Sequence, residues 1–433
     1  MKSLPTFLDR YVVPPLTVLS ENTYLSAIRA GMVTIVPLTI IGGLFMVVAF
    51  LPVSGWEQWI DPYLPLLKIP VSATFGLLSI YVCFAIAYDL GKRLKLDAVV
   101  SATVATVVFL LIQLKPQDQS LDMNNLGSAG LFTAILIALV SVRVKRFFHD
   151  RNWVIKLPAN VPSVVYESFL SLIPLLFLVL TFWAIRFVAG IDINWLLQQA
   201  FSPLVFSLST LPGILVFAFL VTLLWSVGIN GDNTLDAIVA PIFLQYLADN
   251  VAAVSTGQPL PYVTAQGFFT SFVNVGGTGA TIALALVMLN SKEPGYRQIS
   301  RVSMPTQIFG INEPIFFGFP IVLNPIFMIP YVCNALMLTA LTYLLMDHGW
   351  IGRPYVHVPW TTPPVIGHFL VSGGDWRAAV WGVISIGLAM AVYYPFAKAA
   401  ERQRLSGMQS EQQPPVSFDP SASKRSEASQ ESS

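Results

Sequence analysis

Apolar residues run in long blocks along this chain, separated by short polar stretches. A helix that crosses a hydrocarbon layer needs about 20 mainly apolar residues. Blocks of that kind fall at 27–51, 70–91, 96–114, 126–146 and 162–189, and again at 212–229, 234–249, 263–290, 321–346 and 376–398. The 234–249 block is short and carries Asp236 and Gln245, and 263–275 is the weaker part of its own block. Two further apolar stretches, 303–320 and 360–374, are too short and too rich in proline and glycine for ordinary spans, and read as re-entrant segments. Irregular backbone at membrane depth is tolerated only where protein or a wet cavity satisfies its polar groups. Residues 192–210, with Trp195 and two glutamines among apolar positions, read as an interfacial segment. The pattern predicts an all-α polytopic membrane protein with about ten transmembrane helices.

Composition points the same way. Of 433 residues, 55% are hydrophobic and 11% charged, against roughly 25% charged in soluble domains. A soluble globule must show part of its chain to water and could not hide so much apolar surface; a lipid-facing surface removes that limit. The formal net charge of +1 carries no footprint for nucleic acid. There is no Walker-type phosphate loop, so ATP hydrolysis by this chain is not expected. His149, His348, His357 and His368 lack metal-ligand spacing, and no metal or cofactor is implied. Cys83 and Cys333 both fall in apolar stretches and read as buried, inert thiols. Residues 1–26 hold Pro5, Pro14, Pro15 and several charges without a compact apolar run, so no cleavable signal peptide is expected.

Basic residues in short loops set orientation. With the N-terminus in the cytoplasm, the inside loops hold Lys92, Arg93 and Lys95; Arg143, Lys145, Arg146, Arg151 and Lys156; and Lys292, Arg297 and Arg301. Lys398, Arg402 and Arg404 also fall inside, whereas the outer loops offer little beyond Lys68, Lys115, Arg353 and Arg377. An even number of spans places both termini in the cytoplasm. The membrane domain is read as 1–404, and the Ser-, Gln-, Glu- and Pro-rich stretch 405–433 as a disordered tail.

Ionisable residues inside apolar sequence usually mark pathways or sites. Glu313 lies in Phe309-Gly310-Ile311-Asn312-Glu313-Pro314, where Pro314 forces it away from helical geometry and the glycines permit turns. A carboxylate on such a break can meet a polar substrate together with freed backbone groups; the plainer alternative is a helix cap near the interface. A second group, Trp225-Ser226-Val227-Gly228-Ile229-Asn230-Gly231-Asp232-Asn233, sets an aromatic ring beside amide and carboxylate groups, which suits a sugar. Equally, it reads as a helix C-cap at Gly231 followed by an N-cap at Asp232 or Asn233. The third, Asn274-Val275-Gly276-Gly277-Thr278-Gly279-Ala280-Thr281, allows close helix approach, with ligand contact as the other reading. The fourth is Pro359-Trp360-Thr361-Thr362-Pro363-Pro364 with Ser372-Gly373-Gly374-Asp375; Trp360 either lines a pocket or belongs to an interfacial aromatic belt. Asp89 and Glu167 lie near helix ends, as solvated or paired groups.

Taken jointly and in order, these motifs carry a resemblance over roughly residues 5–400. Ala27-Ile28-Arg29-Ala30-Gly31 before a Pro37-containing span, Phe272–Thr281, Gly310-Ile311-Asn312-Glu313-Pro314 and Trp360-Thr361-Thr362-Pro363-Pro364 resemble enzyme IIC, the membrane component of the phosphoenolpyruvate-dependent sugar phosphotransferase system. The similar branch is the lactose, cellobiose and chitobiose one. The resemblance implies a ten-helix homodimer in the bacterial plasma membrane with two re-entrant hairpins. It also implies a β-linked disaccharide as substrate, moved by an elevator-like shift; the candidate substrate-binding residues are Asn230, Asp232, Asn274, Asn312, Glu313 and Trp360. A phosphocysteine on a IIB component then phosphorylates the sugar 6-hydroxyl. The family's Gly-Ile-His-Gly and Gly-Ile-Asn-Glu-Pro segments supply a His and a Glu at the transfer site; the Glu is Glu313 and the His position holds Asn230. Asparagine takes up no proton near neutral pH, so either Glu313 acts alone, Asp232 compensates, or the chain binds sugar without phosphorylation. No IIB domain with an accessible cysteine is visible, so the donor is expected to be a separate protein. Two other readings stand beside this one: a membrane sugar sensor of the same fold, and an ion-coupled transporter with Glu313 as proton carrier.

Overall fold

Short polar side chains decide where many of the helices begin. Residues 21–50, 55–155, 166, 169–319 and 321–412 are described by a computed structural model. Asn22 accepts the N–H groups of Tyr24 (2.9 Å) and Leu25 (3.2 Å) and so starts α1, Thr23–Thr34. Asp97, Asp192, Asn230, Glu293 and Asn324 cap later helices in the same way. Lipid offers no partner to first-turn N–H groups, so the chain supplies its own. After α1 come α2 (Val36–Ala49), α3 (Leu64–Thr74), α4 (Leu78–Arg93), α5 (Ala98–Gln113) and α6 (Leu131–Asp150). Then follow α7 (Leu172–Trp183), α8 (Ile193–Ser209), α9 (Leu211–Ser226) and α10 (Gly231–Ser255). The last are α11 (Thr281–Met288), α12 (Pro294–Ile308), α13 (Glu313–Gly318), α14 (Pro325–Asp347), α15 (Ile366–Val371) and α16 (Trp376–Gln412). Among the described residues the only strand-like pairing is an isolated bridge between Leu114 and Leu121.

Among the described residues, five stretches are long and apolar enough to cross a membrane: Thr23–Ala49, Gln58–Arg93, Gly231–Ser255, Pro325–Asp347 and Trp376–Ser406. Leu172–Val188 and Ile193–Ser209 make a sixth if taken as one, but they meet at 85°. α5 and α9 are apolar and shorter, 16 residues each. α6 is long enough but carries Arg143, Lys145 and Arg146. The block expected at 263–290 is not one span. It splits into a wide helical turn, Phe268–Val273, and the short α11. Between them Gly276, Gly277, Gly279 and Ala280 take φ of +66°, +115°, +72° and +55°, which a right-handed helix cannot continue. The expected re-entrant stretches are broken too. α12 and α13 are separated by a turn with Gly310 at φ +76°, and α15 ends before Gly373 and Gly374 at +70° and +94°. Residues 405–412 continue α16 rather than belonging to a structureless tail. Residues 1–20, Lys156, Glu167, Pro320 and the tail from 413 lie outside the described residues.

α4 is the centre of a first group, packed on α1, α5 and α6; α9, α11, α14 and α16 form a second. α10 joins them by contacting α1 and α2 on one side and α9 on the other. Small residues permit these contacts: a Cβ on Gly31 of α1 would lie 2.4 Å from Ile86 Cγ1, and one on Gly91 would lie 2.9 Å from Ser101 Cβ. The buried amide pair Asn194–Gln113 (2.9 Å) ties α8 to α5. Outward faces stay apolar. Leu172, Leu176, Leu180 and Trp183 are exposed along one stripe of α7, while Leu178 and Phe182 are buried. Asp89 pairs with Arg93. Cys83 is buried, but Cys333 is exposed on α14, against the expectation for both thiols. It lies two positions from the buried Tyr331, hence on the other side of the helix.

The α1–α4 contact makes a test. Gly31→Val forces a side chain onto Ile86, whose backbone nitrogen would also be 2.9 Å from the new Cβ. Overpacking of this kind costs about 1–3 kcal/mol, so the thermal midpoint of purified protein should fall. Ile86→Ala should restore only part, because the backbone remains. A Gly31→Val chain melting with the wild type would refute the contact.

Candidate functional site

The polar groups inside the apolar sequence converge where α9 gives way to α10. α9 ends at Ser226, Gly228 turns the chain at φ +85°, and Asn230 starts α10 by accepting the Asn233 N–H at 2.9 Å. The sequence expectation of caps at Gly231 and at Asp232 or Asn233 is thus displaced to Gly228 and Asn230. Gly231 serves close approach instead, since a Cβ there would sit 2.1 Å from the Val221 carbonyl oxygen.

Asp232, in the first turn of α10, gathers three donors. Trp225 Nε1 donates to Oδ2 at 2.8 Å, Thr278 Oγ1 donates to the same oxygen, and Asn274 Nδ2 donates to Oδ1 at 3.2 Å. The donors come from the end of α9 and from the 274–280 loop, so one carboxylate fastens that loop to α10. The loop's other face rests on the segment around Glu313. A Cβ on Gly277 would lie 2.4 Å from Asn312 Cβ, and one on Gly279 would lie 2.3 Å from the Tyr331 ring. Asn312 is buried and donates a long 3.5 Å bond to the Thr278 carbonyl. Gln307, fully buried, accepts from Thr281 Oγ1 at 2.9 Å and donates to the Ile311 carbonyl at 3.0 Å.

Glu313 opens α13 and is exposed; among the described residues its carboxylate has no hydrogen-bond or ion-pair partner. Phe316, three residues on, packs edge-to-face with Trp225 at 5.0 Å between ring centres. Trp360 is 58% exposed, and a Cβ on Gly310 would lie 3.1 Å from its carbonyl and 3.6 Å from its ring. Ser271, Asn274, Gly276, Gly310, Trp360 and Gly367 bound a common cleft of about 10 Å³. That is room for one water, far below the ~300 Å³ of an ordinary ligand pocket. A ligand of sugar size does not fit the cleft in this arrangement.

The fold brings Asp232 and Asn274 into direct contact, sets Asn312 against their loop, and places Trp360 beside the turn that leads to Glu313. Asn230 is adjacent in the chain, but its side-chain oxygen serves the helix cap. Gln307 and Thr278 were missed as individual residues; a glutamine in the apolar 303–320 stretch was the signal for the first. Other polar groups have structural work. His357 Nδ1 lies 2.6 Å from Thr39 Oγ1 in the interior. Asp375 accepts from the Gly352 N–H at 2.7 Å and from Arg377 Nε and Nη2 at 3.0 Å. Burial raises its pKa, but these donors outweigh that and hold its carboxyl below the usual range.

This arrangement of breaks, amides and carboxylates within apolar helices has known counterparts. Residues 29–335 match the profile of the family "Phosphotransferase system, EIIC". The chain belongs to that family. It is 33% identical to the lichenan permease IIC component of Bacillus subtilis (strain 168), covering 94% of this chain and 95% of that one. It is also 33% identical to the cellobiose-specific EIIC component of Geobacillus stearothermophilus, with 93% and 96% covered. The lactose-specific EIICB component of Lacticaseibacillus casei is 26% identical, and the match spans 91% of this chain but 70% of that longer one. Among solved structures, the transporter ChbC, the IIC component of an N,N'-diacetylchitobiose-specific phosphotransferase system, superposes with a TM-score of 0.87 at 32% identity over 93% of this chain and 99% of that one. This EIIC chain is therefore a multi-pass membrane protein and a sugar-translocating component, of the kind that binds sugar and works with IIB components. The sensor alternative is not favoured, because these relatives are transport components.

The three-donor carboxylate makes a test. Asp232→Asn keeps the shape but turns an amino group toward existing donors. Hydrogen bonds to charged groups contribute about 1.5–3 kcal/mol, so sugar affinity measured by calorimetry should fall roughly ten- to a hundredfold. Trp225→Phe removes one donor and should cost less. Wild-type affinity in Asp232→Asn would exclude a role for this corner in binding.

Proposed function

We propose that this chain imports a β-linked disaccharide of the cellobiose or diacetylchitobiose type and presents it for phosphorylation by a separate IIB protein. The observation that carries this reading is the pairing of two unlike carboxylates. Asp232 is held by three donors, and Glu313, at the start of α13, has no hydrogen-bond or ion-pair partner among the described residues. In the proposed cycle the Trp360 ring stacks on a sugar C–H face, and Asn274, Asn312 and Asp232 order the hydroxyls. Glu313 takes the proton from the 6-hydroxyl as its oxygen attacks phosphorus on a IIB phosphocysteine. The new O–P bond forms, the S–P bond breaks, and the cysteine thiolate leaves with the electron pair. Asn230 stands where the resemblance expects histidine. Its amide nitrogen can donate to a sugar oxygen, but it cannot act as a base. Asp232 already accepts three hydrogen bonds, which favours a binding role for it and leaves Glu313 as the base.

Relatives named as IIC components support a separate donor. Two of them, the lichenan and cellobiose IIC relatives, are each 33% identical to this chain. The rest of the setting follows the same proposal. The protein is a homodimer in the bacterial plasma membrane, with apolar stripes such as that of α7 facing lipid and both termini in the cytoplasm. The basic residues at the ends of α4, α6 and α16 support that orientation.

The chemistry is tested by Glu313→Gln. A general base contributes about 10²–10⁴-fold, so the rate of sugar phosphorylation with a supplied IIB protein should fall by that order, and affinity by much less. Asn230→His adds an imidazole but weakens a helix cap, a loss of about 1 kcal/mol; it should raise the residual rate of Glu313→Gln while lowering the melting point. Undiminished phosphorylation and uptake in Glu313→Gln would refute the assignment.

Orientation is tested separately. In a Cys333→Ala background, Asn152→Cys and Ser406→Cys should react with a membrane-impermeant maleimide only after cells are opened. Labelling of both in sealed cells would reverse the topology.

A further inference from the structure

A second cavity lies apart from the Asp232 corner, at the basic end of the molecule. Its volume is about 260 Å³, and it is lined by Tyr296, Asn324, Ile326, Ala400, Gln403 and Arg404. The span Pro325–Asp347 begins here and the span Trp376–Ser406 ends here, so the cavity sits at the level where two helices leave the apolar layer. Its lining includes Ile326 and Ala400, and Ile329, one turn further along α14, is exposed.

The polar rim has donors to spare. The Arg404 guanidinium lies 4.8 Å from the centre of the Tyr296 ring, and its Nε is 3.7 Å from Glu293 Oε1. Glu293 is buried and already accepts the N–H groups of Gly295 and Tyr296 as the cap of α12, so its hold on Arg404 is loose. The Arg404 side chain remains 44% exposed and lines the cavity. Asn324 Oδ1 accepts the Ile326 N–H at 3.1 Å, which leaves its amide nitrogen as a donor. Segments 291–301 and 398–404 hold six basic and two acidic side chains. Both acids are engaged: Glu293 as the cap, and Glu401 by Lys398 Nζ at 2.6 Å and Ser291 Oγ at 2.8 Å. The excess is positive, and it sits beside apolar surface.

We propose that this cavity binds the phosphate headgroup of an anionic glycerophospholipid. The planar guanidinium matches two phosphate oxygens in a bidentate pair, and the Asn324 and Gln403 amides reach the remaining headgroup oxygens. The acyl chains run along Ile329 into the apolar layer. Basic pockets between spans on the side that faces an anionic leaflet recognise lipid in this way.

The test uses full-length protein purified in a neutral detergent and stripped of lipid. Phosphatidylglycerol, phosphatidylcholine and inorganic phosphate are added separately, with retained lipid counted by native mass spectrometry and the thermal midpoint followed. The expected result is retention of phosphatidylglycerol over phosphatidylcholine, with a raised midpoint and no comparable rise from inorganic phosphate. Arg404→Gln should lower phosphatidylglycerol retention at least tenfold, and Arg404→Lys less. Gln403→Glu, a change at an exposed position that sets a negative charge on the rim, should repel the lipid while sugar binding stays at the wild-type level. Equal retention of both lipids, or full retention in Arg404→Gln and Gln403→Glu that still bind sugar, would overturn the proposal. An equal effect of inorganic phosphate would overturn the lipid source. Protection of Arg404 from an arginine-modifying reagent by a IIB protein, with no lipid retained, would reassign the surface to protein docking.

Discussion

A membrane interior offers no hydrogen-bond partner to a broken helix, and the arrangement around the candidate site follows from that constraint. Substrate chemistry requires breaks, because an unbroken helix hides its backbone groups from a ligand. Each break has to be satisfied from within the protein. Asp232 meets this need for the 274–280 loop by accepting from Trp225, Asn274 and Thr278. Gln307 meets it for the turn before Glu313 by bridging Thr281 and the Ile311 carbonyl. The two loops are then braced against each other through Gly277 and Asn312.

This bracing separates the two carboxylates by role. Asp232 is enclosed by donors and works as a fixed anchor. Glu313 starts a short helix, has no partner among the described residues, and is available to a ligand. Carboxylates in unlike surroundings can take unlike tasks. The cleft of about 10 Å³ between Asn274, Gly310 and Trp360 is too small for a sugar in this arrangement, and it is bordered by glycines at positive φ.

The candidate site lies at a junction in the wider architecture. Two groups of helices, one around α4 and one around α14 and α16, are joined through α10, the helix that also carries Asp232. Close contacts such as Gly31 on Ile86 keep the first group tight. The basic ends of α12 and α16 mark where the second group meets water, and the cavity beside Arg404 lies at that boundary.

The sequence by itself determined the class, because lipid imposes a length and polarity rule that acts on each segment separately. It thereby specified an apolar helical chain and most of its long helices; the break it placed at Pro314 falls instead at Gly310, and Glu313 and Pro314 form the first turn of α13, because a proline without an N–H is tolerated there. It also singled out the polar residues Asn230, Asp232, Asn274, Asn312, Glu313 and Trp360, since a costly polar group in an apolar run is conspicuous wherever it sits. Their partners were not legible, because a hydrogen bond between residues 232 and 278 depends on how α9, α10 and the glycine loop pack. For the same reason the tertiary structure alone decided that Asn230 caps α10, that 263–290 breaks at left-handed glycines, and that Cys333 faces outward. It also decided that Gln307 is a brace, for contact between distant segments is a property of the packed chain and not of any window along it.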